Sequence, residues 1–250
     1  MRVITLSDKR SLLASLQRLA FFQKWESDEL ERILDDPGVR VQAYRMGEFF
    51  IRQEGRDASL YVMLLGRASV VRTGSSIPLA ELSVGQFFGE VSFLTAEPRG
   101  TNVIVHGSSP VDSDSIEGHL SEALGIRQSD QSMAESTVVL RLEPGVMERL
   151  QAATRLTLLE HFIATLVQRL DVMNERIVQL TGQAPMLSID VELSNLFGEA
   201  DALPSPGGEA PPFTGQEREA LTLRFLKQLF QCQKEMNDLL LQMEGVSENP

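Results

Sequence analysis

Phe88-Gly89-Glu90-Val91-Ser92-Phe93-Leu94-Thr95-Ala96-Glu97-Pro98-Arg99-Gly100-Thr101-Asn102-Val103 is the stretch from which the rest of the chain can be read. A glycine and an acid open it. An arginine, two small residues and, at Val103, a β-former close it. Glycine has no Cβ, so backbone and ligand can approach closely. The run from Gly89 to Leu94 can start a short helix, whose first N–H groups and positive dipole end suit an anion. Arg99 adds a fork of charged donors that matches a phosphate. Glu90 cannot bind a phosphate, because like charges repel, but it can accept hydrogen bonds from a sugar hydroxyl. An acid for a ribose and an arginine for a phosphate, close together in one chain segment, describe a site for a singly charged nucleotide.

Two further stretches stand upstream in a fixed order. Gly47-Glu48-Phe49-Phe50-Ile51-Arg52-Gln53-Glu54-Gly55 reads as a strand and a turn, and Leu60-Tyr61-Val62-Met63-Leu64-Leu65-Gly66 as a second strand. With these in view, residues 16–105, and 137–180 after an interruption, resemble the cyclic nucleotide-binding domain. The likeness is to the bacterial cAMP/cGMP-binding proteins, here without a recognisable helix-turn-helix. The Phe-Gly-Glu, the Pro-Arg and Val103 match that family's phosphate-binding cassette. The resemblance implies an α+β fold, an antiparallel, jelly-roll-like β-roll (a double-stranded β-helix) with flanking helices, followed by a C-terminal helical or coiled-coil region. It implies that Glu90 takes the ribose 2′-hydroxyl and Arg99 the exocyclic oxygens of the cyclic phosphate. Backbone N–H groups near Gly89, Val91, Ser92, Gly100 and Thr101 complete the cradle. The family usually has Thr or Ser where Asn102 stands. In the same family a hydroxyl residue directly after the arginine favours guanine. Gly100 stands there and leans towards cAMP, while Thr101 keeps cGMP open.

The chain has 250 residues, 42% of them hydrophobic, which is enough for a substantial core, and a formal net charge of −12. That charge argues against a general nucleic-acid or anionic-membrane binder, since both require a basic field. The single cysteine, Cys232, forms no intramolecular disulfide. His106, His119 and His161 are not spaced as a metal pair and read as ordinary polar residues. No segment approaches the ~20 apolar residues of a membrane span, and Ser7, Asp8, Lys9 and Arg10 interrupt any signal-peptide core. A reducing cytoplasm is the expected compartment.

Taken in order, residues 1–36 read as N-terminal helices, with Leu12, Leu13, Leu16, Leu19 and Ala20 at helical spacing and Ser27 as a candidate N-cap. Residues 37–149 read as the roll: short β-prone runs punctuated by Gly55, Gly66, Gly74 and Gly85, with a hairpin loop at 74–78. Residues 106–136 depart from the family as a polar, acidic insertion with a short helix at Ile116–Leu124. Two readings stay open for it, a solvated loop or a docking segment near the pocket. Pro144 marks a helix start, and residues 150–180 form a long helix with a heptad-like seam of Leu159, Phe162, Leu166, Leu170, Met173, Ile177 and Leu180. A homodimer or helical assembly is expected from the length of that seam. Residues 181–215 read as a Pro/Gly linker, and its 186–197 peptide is either a docking motif for a protein partner or a segment that folds back. Residues 216–250 hold a second helix, stepping through Leu226, Leu229, Gln233, Met236, Leu240 and Met243.

No paired acid and base with a nucleophile, no phosphate loop with a following lysine and no metal constellation is visible. The chain therefore reads as no enzyme, with no catalytic residue, metal or cofactor beyond its cAMP or cGMP ligand. The expectation is a sensor in which ligand shifts a helical interface with an as yet unidentified protein partner. The rival readings are a non-binding scaffold acting through its C-terminal helices and, more weakly, a DNA-binding regulator.

Overall fold

The computed structural model describes residues 1–4, 8–74, 78–107, 114–126, 136–182 and 215–246. The strands are β1 (Arg2–Val3), β2 (Val39–Arg45), β3 (Phe49–Ile51), β4 (Leu60–Leu65), β5 (Arg67–Val71), β6 (Ala80–Leu82), β7 (Phe87–Phe88), β8 (Asn102–Gly107) and β9 (Ser136–Leu142). The helices are α1 (Lys9–Leu16), α2 (Ser27–Leu34), α3 (Glu90–Thr95), α4 (Ile116–Ala123), α5 (Gly145–Arg149), α6 (Ala152–Thr181) and α7 (Gly215–Val246). By internal contacts the chain divides into two units, Met1–Thr157 and Leu158–Pro250. Residues 183–214 of the expected linker, with its 186–197 peptide, lie outside the described residues, as do residues 75–77 of the expected hairpin loop; the linker's end residues Thr181 and Gly215 belong to α6 and α7.

The first unit is the α+β roll. One antiparallel sheet runs β1-β2-β9-β4-β7 and the other β3-β8-β5-β6. Side chains alternate across a strand, and the inward rows of both sheets meet in one cluster. Tyr44, Tyr61, Met63, Phe88 and Val139 come from the first sheet, and Phe50, Ala68, Leu82, Val103 and Val105 from the second. Aromatic rings hold this centre: Tyr61 and Phe88 stack at 5.1 Å, and Phe50 lies 5.4 Å from Phe88. Phe87, one residue earlier, turns to the opposite face and meets Phe21 at 5.4 Å.

An antiparallel strand usually keeps one face in water, yet all six residues of β4 are buried. The cause is a helical layer on the outer face. Helix α4 contacts both α1 and β4, and Leu120, Ala123 and Leu124 are buried with Leu12 and Leu16 of α1. The described part of the insertion is therefore a packed element of the roll. It is a capped helix, with Ser115 Oγ accepting from Gly118 N at 3.0 Å, and not a solvated loop along residues 114–126. Residues 108–113 and 127–135 of the insertion lie outside the described residues.

The N-terminal region departs from a simple run of helix. Residues 2–3 add a strand to β2, and α1 ends at Leu16, four residues before the last apolar position counted for it. Leu19, Phe21, Phe22 and Trp25 are carried into the core by the turns that follow. Ser27 does not cap α2. Glu26 occupies the cap without a side-chain bond, and Ser27 Oγ instead accepts from Gln17 Nε2 at 2.6 Å. Helix α5 is separated from α6 by Leu150, which is extended. The junction is held from α2: the Gln151 N–H donates to the buried Glu29 carboxylate at 2.8 Å, and Arg149 forks onto Asp36 at 2.5 and 2.7 Å.

The second unit contains most of α6 and all of α7. Leu159, Phe162, Leu166, Leu170 and Ile177 are buried within the single chain, whereas Leu180 is 52% exposed. Leu226, Leu229, Met236 and Leu240 on α7 are buried as well. Arg218 donates to Glu160 at 2.8 Å. Most of the apolar seam on α6 is thus covered without a second copy of the chain, which removes seam length as an argument for dimerisation.

Candidate functional site

Strand β7 delivers the site. Phe88 is locked in the roll by its stack on Tyr61, and the next residue, Gly89, has φ 87°. A Cβ there would stand 2.7 Å from Arg99 Nη1 and 2.8 Å from the Ser59 carbonyl oxygen. Glycine is thus required twice, for the left-handed backbone and for the approach of Arg99. Helix α3 follows at once and is ended by Ala96, also left-handed at φ 58°. Its opening N–H groups lack acceptors within the helix by geometry alone.

Arg99 is the structural pivot. Its side chain is 4% exposed, and it is fixed from both sides of the turn. Nη1 donates to the Gly89 carbonyl at 2.9 Å, and Nη2 to the Ser59 carbonyl at 2.5 Å. Nη2 also lies 3.5 Å from Asp57 Oδ2, and the guanidinium sits 5.9 Å from the Tyr61 ring centre. Burial pulls the Arg99 pKa below its ordinary value, while Asp57, Tyr61 and Glu90 favour the charge. The Nε atom is buried with no hydrogen-bond partner among the described residues. A buried cationic donor left unpaired is costly, and an anion at this spot would relieve it.

Asp57 was not among the residues picked out from the sequence. It organises the wall behind Arg99. Its carboxylate accepts from Tyr61 Oη at 2.6 Å, Ser59 Oγ at 2.8 Å and Arg141 Nη2 at 3.0 Å. Arg141 in turn donates to Glu143 at 2.9 Å. Burial opposes the Asp57 charge, but these donors win and hold its pKa at about 2. Burial likewise opposes the Arg141 charge, and Asp57 outweighs it, so that pKa is raised. The Tyr61 hydroxyl is pushed up by burial and by Asp57.

The rim is built from backbone. The Arg99 N–H donates to the Gly55 carbonyl at 2.9 Å, and the Glu54 N–H to the Arg99 carbonyl at 2.8 Å. Beyond Arg99, Asn102 Oδ1 accepts from Gln53 N at 2.9 Å and Asn102 Nδ2 donates to Thr73 Oγ1 at 3.1 Å. Thr73 N closes the circuit by donating to Gln53 Oε1 at 2.9 Å.

All the site residues expected from the sequence are described and adjoin one another in this corner of the roll. Glu90, Ser92 and Arg99 are buried, Gly89, Val91 and Thr101 are partly buried, and Gly100 is exposed. A Cβ on Gly100 would meet nothing within 4 Å. The sequence reading missed Asp57, Ser59, Tyr61 and Arg141. The one available signal was a lone acid, Asp57, between two strand-forming runs. Among the described residues no group of His, Cys, Asp and Glu could hold a metal ion, and no helix is long and apolar enough to cross a membrane.

Residues 41–111 match the family model described as the cyclic nucleotide-binding domain. A curated relative, the cAMP-dependent protein kinase regulatory subunit of Mycosarcoma maydis, is 29% identical over 108 residues, covering 42% of this chain and 20% of its own length. The chain thus spans about a fifth of that relative. A solved cyclic nucleotide-binding domain from Methylobacillus flagellatus superposes with a TM-score of 0.50 at 13% identity, over 71% of this chain and 86% of that one. The regulatory domain of Toxoplasma gondii PKA, solved with cAMP, gives a TM-score of 0.42 at 19% identity, over 58% and 46% of the two chains.

Proposed function

We propose that this chain, which carries a cyclic nucleotide-binding domain, is a regulatory sensor whose ligand is a cyclic nucleotide, cAMP ahead of cGMP. The observation that carries the reading is Arg99: a buried guanidinium, oriented by two carbonyls, with an unpaired Nε beside the opening of α3. A single phosphate negative charge matches that donor set.

In this reading Arg99 binds the exocyclic phosphate oxygens and the buried Glu90 accepts from the ribose 2′-hydroxyl. The N–H groups of Gly89, Val91, Ser92, Gly100 and Thr101 surround the phosphate. No bond is made or broken, so the chain is not an enzyme and needs no metal or cofactor. Gly100 offers no side chain to guanine, and the curated relative is named for cAMP; both favour adenine. The signal leaves through α6, whose first residue follows the Glu29-capped Gln151, and acts on a protein partner by a shift in population. A homodimer or other helical assembly would use the exposed apolar positions of these helices, Val172, Leu221 and the open end of the seam at Leu180.

The test is calorimetric titration of the full chain with cAMP and with cGMP, alongside Arg99→Ala and Glu90→Ala. Micromolar or tighter binding, lost in Arg99→Ala, is the expected result. A folded, ligand-free chain that gives no heat and no thermal shift with either nucleotide overturns the reading and leaves a scaffold acting through its helices.

A further inference from the structure

We propose that Asn102 is a positioning residue of this site. Together with Gln53 and Thr73 it holds the Gly100–Thr101 backbone in place for the ligand's phosphate. The inference rests on the cyclic-nucleotide reading and deepens it.

Three separate chain segments meet at this point: the turn after β3 at Gln53, the turn after β5 at Thr73, and the first residue of β8, Asn102. The three hydrogen bonds that join them form a closed ring. Gln53 N gives to Asn102 Oδ1, Asn102 Nδ2 gives to Thr73 Oγ1, and Thr73 N gives to Gln53 Oε1. Each residue donates once and accepts once, an arrangement in which hydrogen bonds reinforce one another.

The ring lies at one end of a four-residue bridge. At the other end the backbone of Arg99 is bracketed in both directions, by the Gly55 carbonyl and the Glu54 N–H. Residues 99 and 102 are therefore both pinned to the same 53–55 turn. Gly100 and Thr101, between the pins, are not held by it, and Gly100 faces open space. The constraint falls on where those two N–H groups point, not on packing around them. A site whose donors are placed in advance spends less binding free energy on ordering them.

The side chain at 102 must supply an acceptor and a donor on one short planar group. Asparagine does so. Aspartate would lose the donor and set a negative charge beside the phosphate, and alanine would leave both Gln53 N and Thr73 Oγ1 without this partner.

The experiment is calorimetric titration of the full chain with cAMP and cGMP for the wild type, Asn102→Ala, Gln53→Ala and the double variant. Amide hydrogen exchange of the ligand-free proteins accompanies it. Each single variant opens the ring, and each is expected to weaken both nucleotides by about five- to tenfold. The double variant should lose about as much as either single one, since opening the ring once disables it. The cAMP-to-cGMP ratio should not move, because the ring acts at the phosphate and not at the base. Exchange at Gly100 and Thr101 should quicken in each variant. Wild-type affinity in Asn102→Ala, an altered nucleotide ratio, or unchanged exchange at both residues overturns the proposal alone. A wild-type chain that binds neither nucleotide overturns the sensor reading and this proposal with it.

Discussion

Arg99 Nη2 lies 3.5 Å from Asp57 Oδ2, a pair in which the arginine side chain is 4% exposed and the aspartate 45%. The buried partner is the one held by carbonyls, and the half-exposed one is the hub that also takes Arg141 and Tyr61. Asp57 has a folded pKa of about 2 against an ordinary value of 3.8. A depressed carboxylate pKa stabilises the fold above the unfolded value and loses that contribution as pH falls through the folded one. Because Asp57 is half-exposed, solvent screening leaves about 1 kcal/mol. Asp57→Asn should therefore be about 1 kcal/mol less stable than wild type at neutral pH. The gap should close as pH drops below about 4 towards 2, read from urea midpoints at a series of pH values. A gap that stays constant between pH 7 and pH 3 would mean that the charge of Asp57 is not what the network uses.

Gly89→Ala tests the turn that presents Arg99. The new methyl group would sit 2.7 Å from Arg99 Nη1 and 2.8 Å from the Ser59 carbonyl oxygen, on a backbone at φ 87°. The left-handed backbone alone costs about 1–2 kcal/mol, and the clash must be relieved by displacing the guanidinium. Stability should fall by about 2–4 kcal/mol, and cyclic nucleotide affinity should fall even where the variant is still folded. Gly100→Ala is the control, because its Cβ would enter open space. It should leave the melting temperature within a degree or two of wild type.

How far the sequence could be read depended on the range of the interactions involved. The cassette was legible because Gly89, Glu90 and Arg99 lie close together in one segment and their residue types are required by local backbone and charge. The strands at 39–45, 60–65 and 136–142 were legible because runs of β-prone residues mark them. Asp57 was not, because its partner Arg141 comes from a distant strand brought alongside β4 only by the sheet, where Tyr61 faces Arg141. Strands β6 and β7 are too short to show a period. The spacing of Leu12, Leu16 and Leu19 suggests continued helix, but burying Phe21 and Phe22 against Trp25 and Phe87 requires turns instead. In α6 five of the seven seam positions, Leu159, Phe162, Leu166, Leu170 and Ile177, are buried, but which surface covers them is a tertiary matter that periodicity cannot reveal.

Leu120→Ala measures how far the insertion belongs to the roll. Leu120 is 0% exposed, on a helix that covers β4 and lies against α1. Truncating a fully buried leucine costs about 2–5 kcal/mol, transfer and cavity terms together. A loss in that range by chemical denaturation is expected, in a single transition with the rest of the unit. A loss below about 1 kcal/mol would show that α4 rests on the roll without supporting it. Glu122→Ala, at an exposed position of the same helix, should change stability by less than about 0.5 kcal/mol.

Glu54 carries strain at the rim of the site. It is an exposed, non-glycine residue at φ 63°, in the left-handed region where an L side chain costs about 1–2 kcal/mol. Its backbone cannot relax, because the Glu54 N–H is committed to the Arg99 carbonyl at 2.8 Å and the Arg99 N–H to the neighbouring Gly55 carbonyl. Glycine adopts this conformation freely but gives up about 0.5–1 kcal/mol of unfolded-state advantage. Glu54→Gly should therefore be stabilising by about 0.5–1 kcal/mol, a rise of roughly 1–4 °C in Tm for a chain of this size. Strain of this kind persists where neighbouring structure over-determines the backbone, and here that structure is the bracket around Arg99. Relieving it should leave the bracket intact, so Glu54→Gly is expected to bind cyclic nucleotide as well as the wild type while melting later. If it melts earlier, the Glu54 side chain contributes more to the rim than its backbone conformation costs.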